Sequence, residues 1–370
     1  ILHGLYDKAE RVVADAQAIT LPTQLLISGA DWVVHHAPQH DFFARLGTTV
    51  KEKHVLDGFF HDTLGELNRQ PAVDKARDFI LRRFAEAPQR VDLRQADRHG
   101  ATFEESAALA QPLPAWSPRG LYWALVRLNM KIGGWLSDGV RLGHQTGFDS
   151  GSTLDYVYRN TPSGCGSLGR LIDRQYLQSI GWRGIRQRKL HLEELLRKAM
   201  DALRAAGRPV RLLDIAAGHG RYVLEALAGD ALRPQRPESI LLRDYSDLNV
   251  RDGAALIREK GLQDVARFEK GDAFDRASVA GVQPKPTLGV VSGLYELFPD
   301  NDRVRRSLAG MADAIEPGGY LLYTGQPWHP QLELIARALT SHRGGEAWVM
   351  RRRTQAEMDQ LVEEAGFEKL

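Results

Sequence analysis

The chain has 370 residues, 43% hydrophobic and 26% charged, the make-up of a globular protein long enough for more than one domain. Its 49 Lys and Arg against 47 Asp and Glu leave a net charge of +2, without the basic excess of a dedicated nucleic-acid binder. A single cysteine, Cys165, excludes an intrachain disulfide and any zinc site built on two or more cysteines, and it suits a reducing, cytoplasmic compartment. No apolar run reaches the roughly 18 residues of a membrane span.

The chain opens at Ile1 on Leu-His-Gly-Leu-Tyr without a leader pattern, and it ends where a strand begins at Phe367, so both ends are expected to be truncations. Residues 1–87 alternate strand and helix signals: a short apolar strand at Thr23–Ser28, a helix ending near Leu46, a strand at Lys53–Leu56 and a helix over Pro71–Phe84. Residues 88–120 collect Pro88, Pro112, Pro114 and Pro118 with Gly100, Gly120 and many charges. This composition predicts an interdomain linker, the alternative being an ordered loop around one domain. Residues 121–207 read as mainly helical, with Leu192, Leu195, Leu196, Met200 and Leu203 at helical spacing and Gly207 as a stop.

Over residues 208–370, strands at Val210–Ile215, Ser239–Asp244, Arg267–Asp272, Leu288–Ser292 and Tyr320–Thr324 alternate with helices. That alternation predicts an α/β fold with a parallel sheet covered on both faces. The first strand runs through Asp214 into a turn of small residues, Ala216, Ala217, Gly218 and Gly220, followed by a helix. Small residues let a ligand approach the backbone, and the helix start offers free N–H groups. The second strand ends at Asp244, where a carboxylate can accept both hydroxyls of a ribose. The third ends at Asp272, the fourth leads through Ser292 to Gly293, and Pro317-Gly-Gly precedes the fifth. A dinucleotide fingerprint needs a third glycine that the segment from His219 to Val223 lacks.

This ordered set resembles the class I S-adenosylmethionine-dependent methyltransferases over about residues 130–370, whose fold is a Rossmann-like sheet. The resemblance implies S-adenosylmethionine as cofactor, with Asp214, Ala216, Gly218 and Gly220 under its methionine part, Asp244 on the ribose, Asp272 near the adenine and Ser292 on the fourth loop. Ala216 departs from the family pattern, which has glycine there in many members. Candidate acids and bases lie on the loops after the fourth and fifth strands: Tyr295, Glu296 and His329, with Trp328 beside the last. The segments Asp149–Asn160 and Gly181–Arg188 are dense in Tyr, Arg and Gly, and form either a lid over the site or a packed helical extension. Arg351, Arg352 and Arg353 are expected on a solvated face, an anionic acceptor group being the alternative. No metal site is expected.

At the other end, Asp31 follows a strand and tight turn, and His61 follows the next strand. This resembles the last third of an alpha/beta-hydrolase, where the acid and the histidine of a serine triad occupy these places. No G-x-S-x-G is present, so Asp31 and His61 are expected to be vestigial triad members. Together the halves resemble bacterial bifunctional proteins that join a lysophospholipase-like hydrolase to a class I methyltransferase. The implied activity is methyl transfer to a small, lipid- or acyl-derived acceptor. A non-catalytic cofactor-binding module beside a serine hydrolase is the alternative, and a hydrolase active only with further N-terminal residues is a third.

Overall fold

The computed structural model describes residues 9, 12–86, 91–227 and 236–370. The opening hexapeptide and residues 88–90 of the expected linker lie outside them. The chain divides into two units, residues 1–92 and residues 93–370.

In the first unit, β1 (Thr23–Ser28) and β2 (Lys51–Leu56) pair in parallel, with Thr23 opposite Lys51 and Ser28 opposite Leu56. A parallel pair needs a crossover, and α1 (His36–Arg45) supplies it; α2 (Gln70–Ala85) follows β2. Leu56, Phe59 and Ala72 form a small core against Leu26.

The second unit begins with α3 (Ala101–Ala110), inside the segment expected to be a linker. That expectation is corrected: residues 93–120 belong to this unit and are held by arginines from elsewhere in it. Arg351 donates to Ala96 O and Thr102 Oγ1, and Arg352 grips Glu105 through two bonds of 2.6 and 2.8 Å. Arg337 donates to the Ala108 and Gln111 carbonyls. Proline and charge density mark a segment without regular structure of its own, and cannot reveal donors more than 200 positions away.

Five helices follow: α4 (Pro118–Leu136), α5 (Asp138–Thr146), α6 (Gly151–Arg159), α7 (Gly166–Leu177) and α8 (Ile180–Ala205). Serine side chains cap three of them, Ser117, Ser137 and Ser150 each accepting from a backbone N–H of the first turn. Their shared core includes Val140, Phe148, Tyr156, Leu177, Trp182 and Trp348. Buried Asp173 ties α5, α6 and α7 together, accepting from Ser137 Oγ, Gly139 N, Tyr156 Oη and Ser163 N at 2.5–2.9 Å.

Short, largely apolar runs then form β3 (Arg211–Ile215), β4 (Ser239–Asp244), β6 (Leu288–Val291) and β7 (Tyr320–Tyr323), and the more polar Ala-Arg-Phe-Glu-Lys forms β5 (Ala266–Lys270) at the sheet edge. They make one parallel sheet in the order β5-β4-β3-β6-β7, each boundary within two residues of the expected one. The connecting helices are α9 (Arg221–Leu227), α10 (Asp247–Glu259), α11 (Arg276–Ala280) and α12 (Asn301–Ala314); α13 (Leu332–Ala338) and α14 (Gln355–Glu364) come after β7. Helices cover both faces, with Leu212, Leu224 and Leu242 in one core and Leu213, Leu241 and Leu308 in the other. The strand order reverses at β3, which places a crevice at the carboxyl ends of β3, β4 and β6.

Candidate functional site

A cavity of about 860 Å³ occupies that crevice. Six of the seven expected cofactor residues line it: Ala216, Gly218, Gly220, Asp244, Asp272 and Ser292. The turn after β3 bends tightly, with Ala216, Gly218 and Gly220 all at positive φ, of 55°, 59° and 70°. The departure at Ala216 thus falls where an L-residue pays a conformational penalty of about 1–2 kcal/mol. At Gly220 a Cβ would meet Leu242 Cδ1 at 2.5 Å, so glycine is needed there for packing as well as for φ.

Asp214 lies behind the turn, fully buried, and is not in the cavity wall. Neither carboxylate oxygen makes a hydrogen bond, and burial drives its pKa well up despite the opposing influence of the Tyr222 hydroxyl beside it. Gly218 and Gly220, not Asp214, are the parts of this motif that face the cavity. Asp244 is more occupied than the sequence suggested. Its Oδ2 accepts from Gly218 N at 2.9 Å, and its Oδ1 accepts from Ser246 N and Asn249 Nδ2, each at 2.9 Å. A carboxylate has about four acceptor positions, so about one stays open for a ligand rather than the pair a ribose would use. Asp272 accepts from Phe274 N at 2.8 Å and is exposed at the cavity edge.

The helices before the sheet complete the wall. α6 lies against the glycine turn so closely that a Cβ on Gly151 would stand 2.7 Å from Gly218 Cα. Asp155 of α6 accepts from Arg221 Nε at 2.6 Å, with the His219 imidazole 3.6 Å away. Burial works upward on the Asp155 carboxyl, but these two partners outweigh it and hold its pKa at about 2. The segment offered as lid or packed extension is packed on the turn and forms part of the cavity wall.

A second cavity of about 630 Å³ adjoins the first, walled by α4, α7, α8 and the stretch from Gln326 to Met350. Its lining is largely apolar, including Val126, Met130, Ile172, Trp182, Ile335 and Trp348. Asp149, Leu154, Gly293 and Leu297 line both cavities.

The expected catalytic residues separate at this point. Tyr295 is corrected: it is 2% exposed, its hydroxyl lies 3.2 Å from Ser307 Oγ in the core, and it lines neither cavity. The 3-10 turn Tyr295–Leu297 rotates its side chain away from the crevice, which the residue string does not reveal. Glu296 and His329 line the second cavity. Glu296 Oε1 accepts from Arg188 Nη1 at 3.2 Å. Burial lowers the His329 pKa to about 4, so its imidazole is neutral at physiological pH. Trp328 is largely exposed and lines neither cavity.

Sequence reasoning missed a pair that the fold assembles from 193 positions apart. Asp149, in both cavity walls, accepts at Oδ1 from the backbone N–H of His342 at 2.6 Å, with His342 Nδ1 3.0 Å away, and at Oδ2 from Ser341 Oγ at 2.6 Å. His342 lines the first cavity, and its Nε2 has no protein partner among the described residues. No local signal in Ser341-His342-Arg343 marks this histidine.

The arginine run is also corrected. Arg351 is fully buried, bonded to Glu357 Oε1 at 2.6 Å, Asn301 Oδ1 at 2.8 Å and Pro299 O at 2.7 Å. Arg353 is buried against the carbonyls of Phe298, Pro299 and Asp300. The run fastens the loop after β6 instead of facing solvent.

In the first unit, the turns after β1 and β2 bring Asp31 Oδ2 and His61 Nδ1 to 3.1 Å. Burial works upward on the Asp31 carboxyl, and the bonds from His61, Val33 and Val34 bring it below the usual range. Among the described residues no helix is long and apolar enough to cross a membrane.

Residues 76–370 match the family described as "Putative methyltransferase", and residues 1–68 match the family described as "Serine aminopeptidase, S33". The whole chain aligns at 55% identity with "Uncharacterized protein YnbC" of Escherichia coli strain K12 and spans 62% of that relative's length. A solved structure described as a possible exported protein of Bordetella parapertussis shares 17% identity over 73% of this chain and 91% of its own, with a TM-score of 0.50, a likeness of fold. An O-methyltransferase family protein of Burkholderia thailandensis matches 53% of this chain and 57% of its own at 18% identity and a TM-score of 0.34. The chain belongs to this methyltransferase family and carries an N-terminal fragment of the S33 hydrolase family.

Proposed function

We propose that this member of the methyltransferase family transfers a methyl group from S-adenosylmethionine, held in the first cavity, to a small acceptor held in the second. The observation that carries the proposal is the shared wall at Asp149, Leu154, Gly293 and Leu297, where two ligand-sized cavities meet. The cofactor supplies a sulfonium-activated methyl group, an electrophile that needs alignment more than further activation. The residues present fit it. The turn Ala216–Gly220 admits a ligand to the backbone, Asp244 keeps acceptor capacity for one ribose hydroxyl, and Asp272, exposed on the cavity lining, is available for the adenine.

The largely apolar second cavity suits an acceptor with a hydrocarbon body, which supports a lipid- or acyl-derived molecule. If the acceptor atom must lose a proton where the two cavities meet, His342 is a candidate base from the first-cavity side, next to the shared wall residue Asp149. Asp149 orients its Nδ1 face and leaves Nε2 to the first cavity. His329 lines the second cavity as a neutral imidazole, but a pKa of about 4 makes it a weak base. Glu296 is engaged by Arg188 and holds the loop after β6.

For the first unit we propose that Asp31 and His61 are the acid and base of an S33-type triad in a longer protein; no hydrolysis is proposed for these 370 residues.

Calorimetry with S-adenosylhomocysteine, followed by mass spectrometry of a metabolite extract incubated with methyl-labelled cofactor, tests the methyl-transfer proposal. Binding with a labelled product is the expected result. Binding without any product would instead make the unit a cofactor-binding module, and absence of binding would end both readings.

A further inference from the structure

The face of α4 turned away from the second cavity is apolar and uncovered. Leu121, Leu125, Leu128, Ile132 and Trp135 recur at spacings of three and four, which sets them in one stripe along the helix. All five are exposed, from 43% at Ile132 to 71% at Trp135. α7 abuts the end of this helix: Cys165 N donates to Leu136 O at 2.8 Å, and a Cβ on Gly169 would stand 2.4 Å from the same carbonyl. There α7 adds Leu168 and Leu171, 57% and 60% exposed. A contiguous exposed apolar patch of this kind marks an interaction surface.

The charge around it identifies the partner. Residues 118–192 hold eleven Lys and Arg against four Asp and Glu, a net +7 in a chain whose total is +2. Of the four acids, Asp149, Asp155 and Asp173 are buried, and Asp138 is paired with Arg141. Arg127 and Lys131 flank the α4 stripe, and Arg170 and Arg174 flank the leucines of α7. All four are exposed, and among the described residues none forms an ion pair; Arg127 Nη1 donates to Arg337 O at 2.9 Å and keeps its other donors for a ligand. α4 itself contains no acidic residue. An apolar stripe with a tryptophan at one end and unpaired cations beside it is the pattern of a helix that lies in the surface of an anionic membrane.

We propose that α4 and α7 form a docking surface for an anionic lipid bilayer, with the leucine–isoleucine–tryptophan stripe entering the headgroup boundary and the four basic residues meeting lipid phosphates. The surface rests on exposure and charge and does not depend on the methyl-transfer proposal. Its position is useful to it, because Val126, Met130 and Gly133 of the same helix line the second cavity. An apolar molecule leaving the bilayer at α4 would have that cavity one helix diameter away.

The 370-residue chain should be sedimented with vesicles of phosphatidylcholine alone and of phosphatidylcholine mixed with phosphatidylglycerol, at low and high salt. The expected result is at least tenfold stronger binding to the anionic vesicles, weakened by salt. Two double variants separate the contributions. Leu125→Glu with Ile132→Glu should abolish binding to both vesicle types. Lys131→Gln with Arg174→Gln leaves the apolar stripe intact and should remove the preference for anionic lipid. Unchanged circular dichroism and an unchanged urea midpoint in both show that the fold is kept. Equal recovery with neutral and anionic vesicles, or full binding by the glutamate variant, overturns the proposal. So does a glutamate variant that converts a self-associated species to monomer in sedimentation velocity, which assigns the stripe to a second copy of the chain.

Discussion

Replacing Asp155 by asparagine isolates the clamp between α6 and the glycine turn. The carboxylate is 6% exposed, and its partner Arg221 is 9% exposed. Its pKa of about 2 lies below the ordinary 3.8, and at about 1.36 kcal/mol per pKa unit the charged form contributes on the order of 2–3 kcal/mol at neutral pH. Asparagine keeps an acceptor for Arg221 Nε but leaves a buried guanidinium with Glu225 as its remaining carboxylate. The expected loss is therefore about 2–3 kcal/mol, below the 3–5 kcal/mol of a fully broken buried pair. For a domain of this size that is a fall in Tm of about 4–12 °C. The carboxyl is depressed in the folded state, so its contribution is complete above the unfolded pKa and disappears as pH falls from about 4 through about 2. Urea unfolding followed by tryptophan fluorescence reports it, since six of the seven tryptophans lie in residues 93–370. Loosening the clamp frees Gly218 to Arg221, so S-adenosylhomocysteine affinity should fall in step. A variant within about 0.5 kcal/mol of the parent at neutral pH would refute the clamp.

Asp244→Ala leaves Gly218 N, Ser246 N and Asn249 without their acceptor and should weaken S-adenosylmethionine binding at least tenfold, about 1.4 kcal/mol; unchanged calorimetric affinity would sink its role. Gly133→Leu projects from α4 into the second cavity, with nothing within 4 Å of its Cβ. It should add about 0.5–1 kcal/mol of helix stability and block methyl transfer without changing cofactor affinity, and persistent turnover would place the acceptor elsewhere. His329 binds a proton in the unfolded chain near pH 6.5 but in the folded chain only near pH 4, so it withdraws stability as pH falls through that interval. His329→Gln should gain on the parent in Tm between pH 6.5 and 4; a difference in Tm independent of pH would show that the imidazole is not held neutral.

The sheet was legible because β3, β4, β6 and β7 are short, largely apolar runs set at regular intervals between helical segments, and Asp244 and Asp272 fall at or just past strand ends that face the crevice. Six of the residues expected at a cofactor line the crevice for the same reason: they sit on turns whose place follows from strand order alone. Asp214 shares that periodicity but lies one layer too deep, a matter of side-chain direction. The failures are long-range. The burial of Arg351 depends on Glu357, Asn301 and Ala96 converging on it, and the Asp149–His342 pair needs α6 and the loop after α13 to meet. Neither leaves a mark in any window of neighbouring residues. Tyr295 and Glu296 are adjacent, yet one faces the core and the other a cavity, because a single turn of 3-10 helix divides them.

The arginine run also sets an order in time. Arg351 reaches Ala96 and Arg352 reaches Glu105 across 255 and 247 positions, and Leu93 N donates to Gln360 Oε1 across 267. These contacts link the first and last stretches of the second unit. Asn301 and Arg305 hold Arg94 and Asp97, and Arg337 holds Ala108 and Gln111. During synthesis the stretch therefore gains its last anchors, at Ala96, Thr102 and Glu105, only when chain beyond position 350 has left the ribosome, at about 5–20 residues per second. The helices and sheet between them can form earlier from nearer contacts, so docking of α3 is a late event in folding. A nascent chain stalled before Arg351 should leave α3 more open to protease than the finished unit does, while the sheet is already resistant.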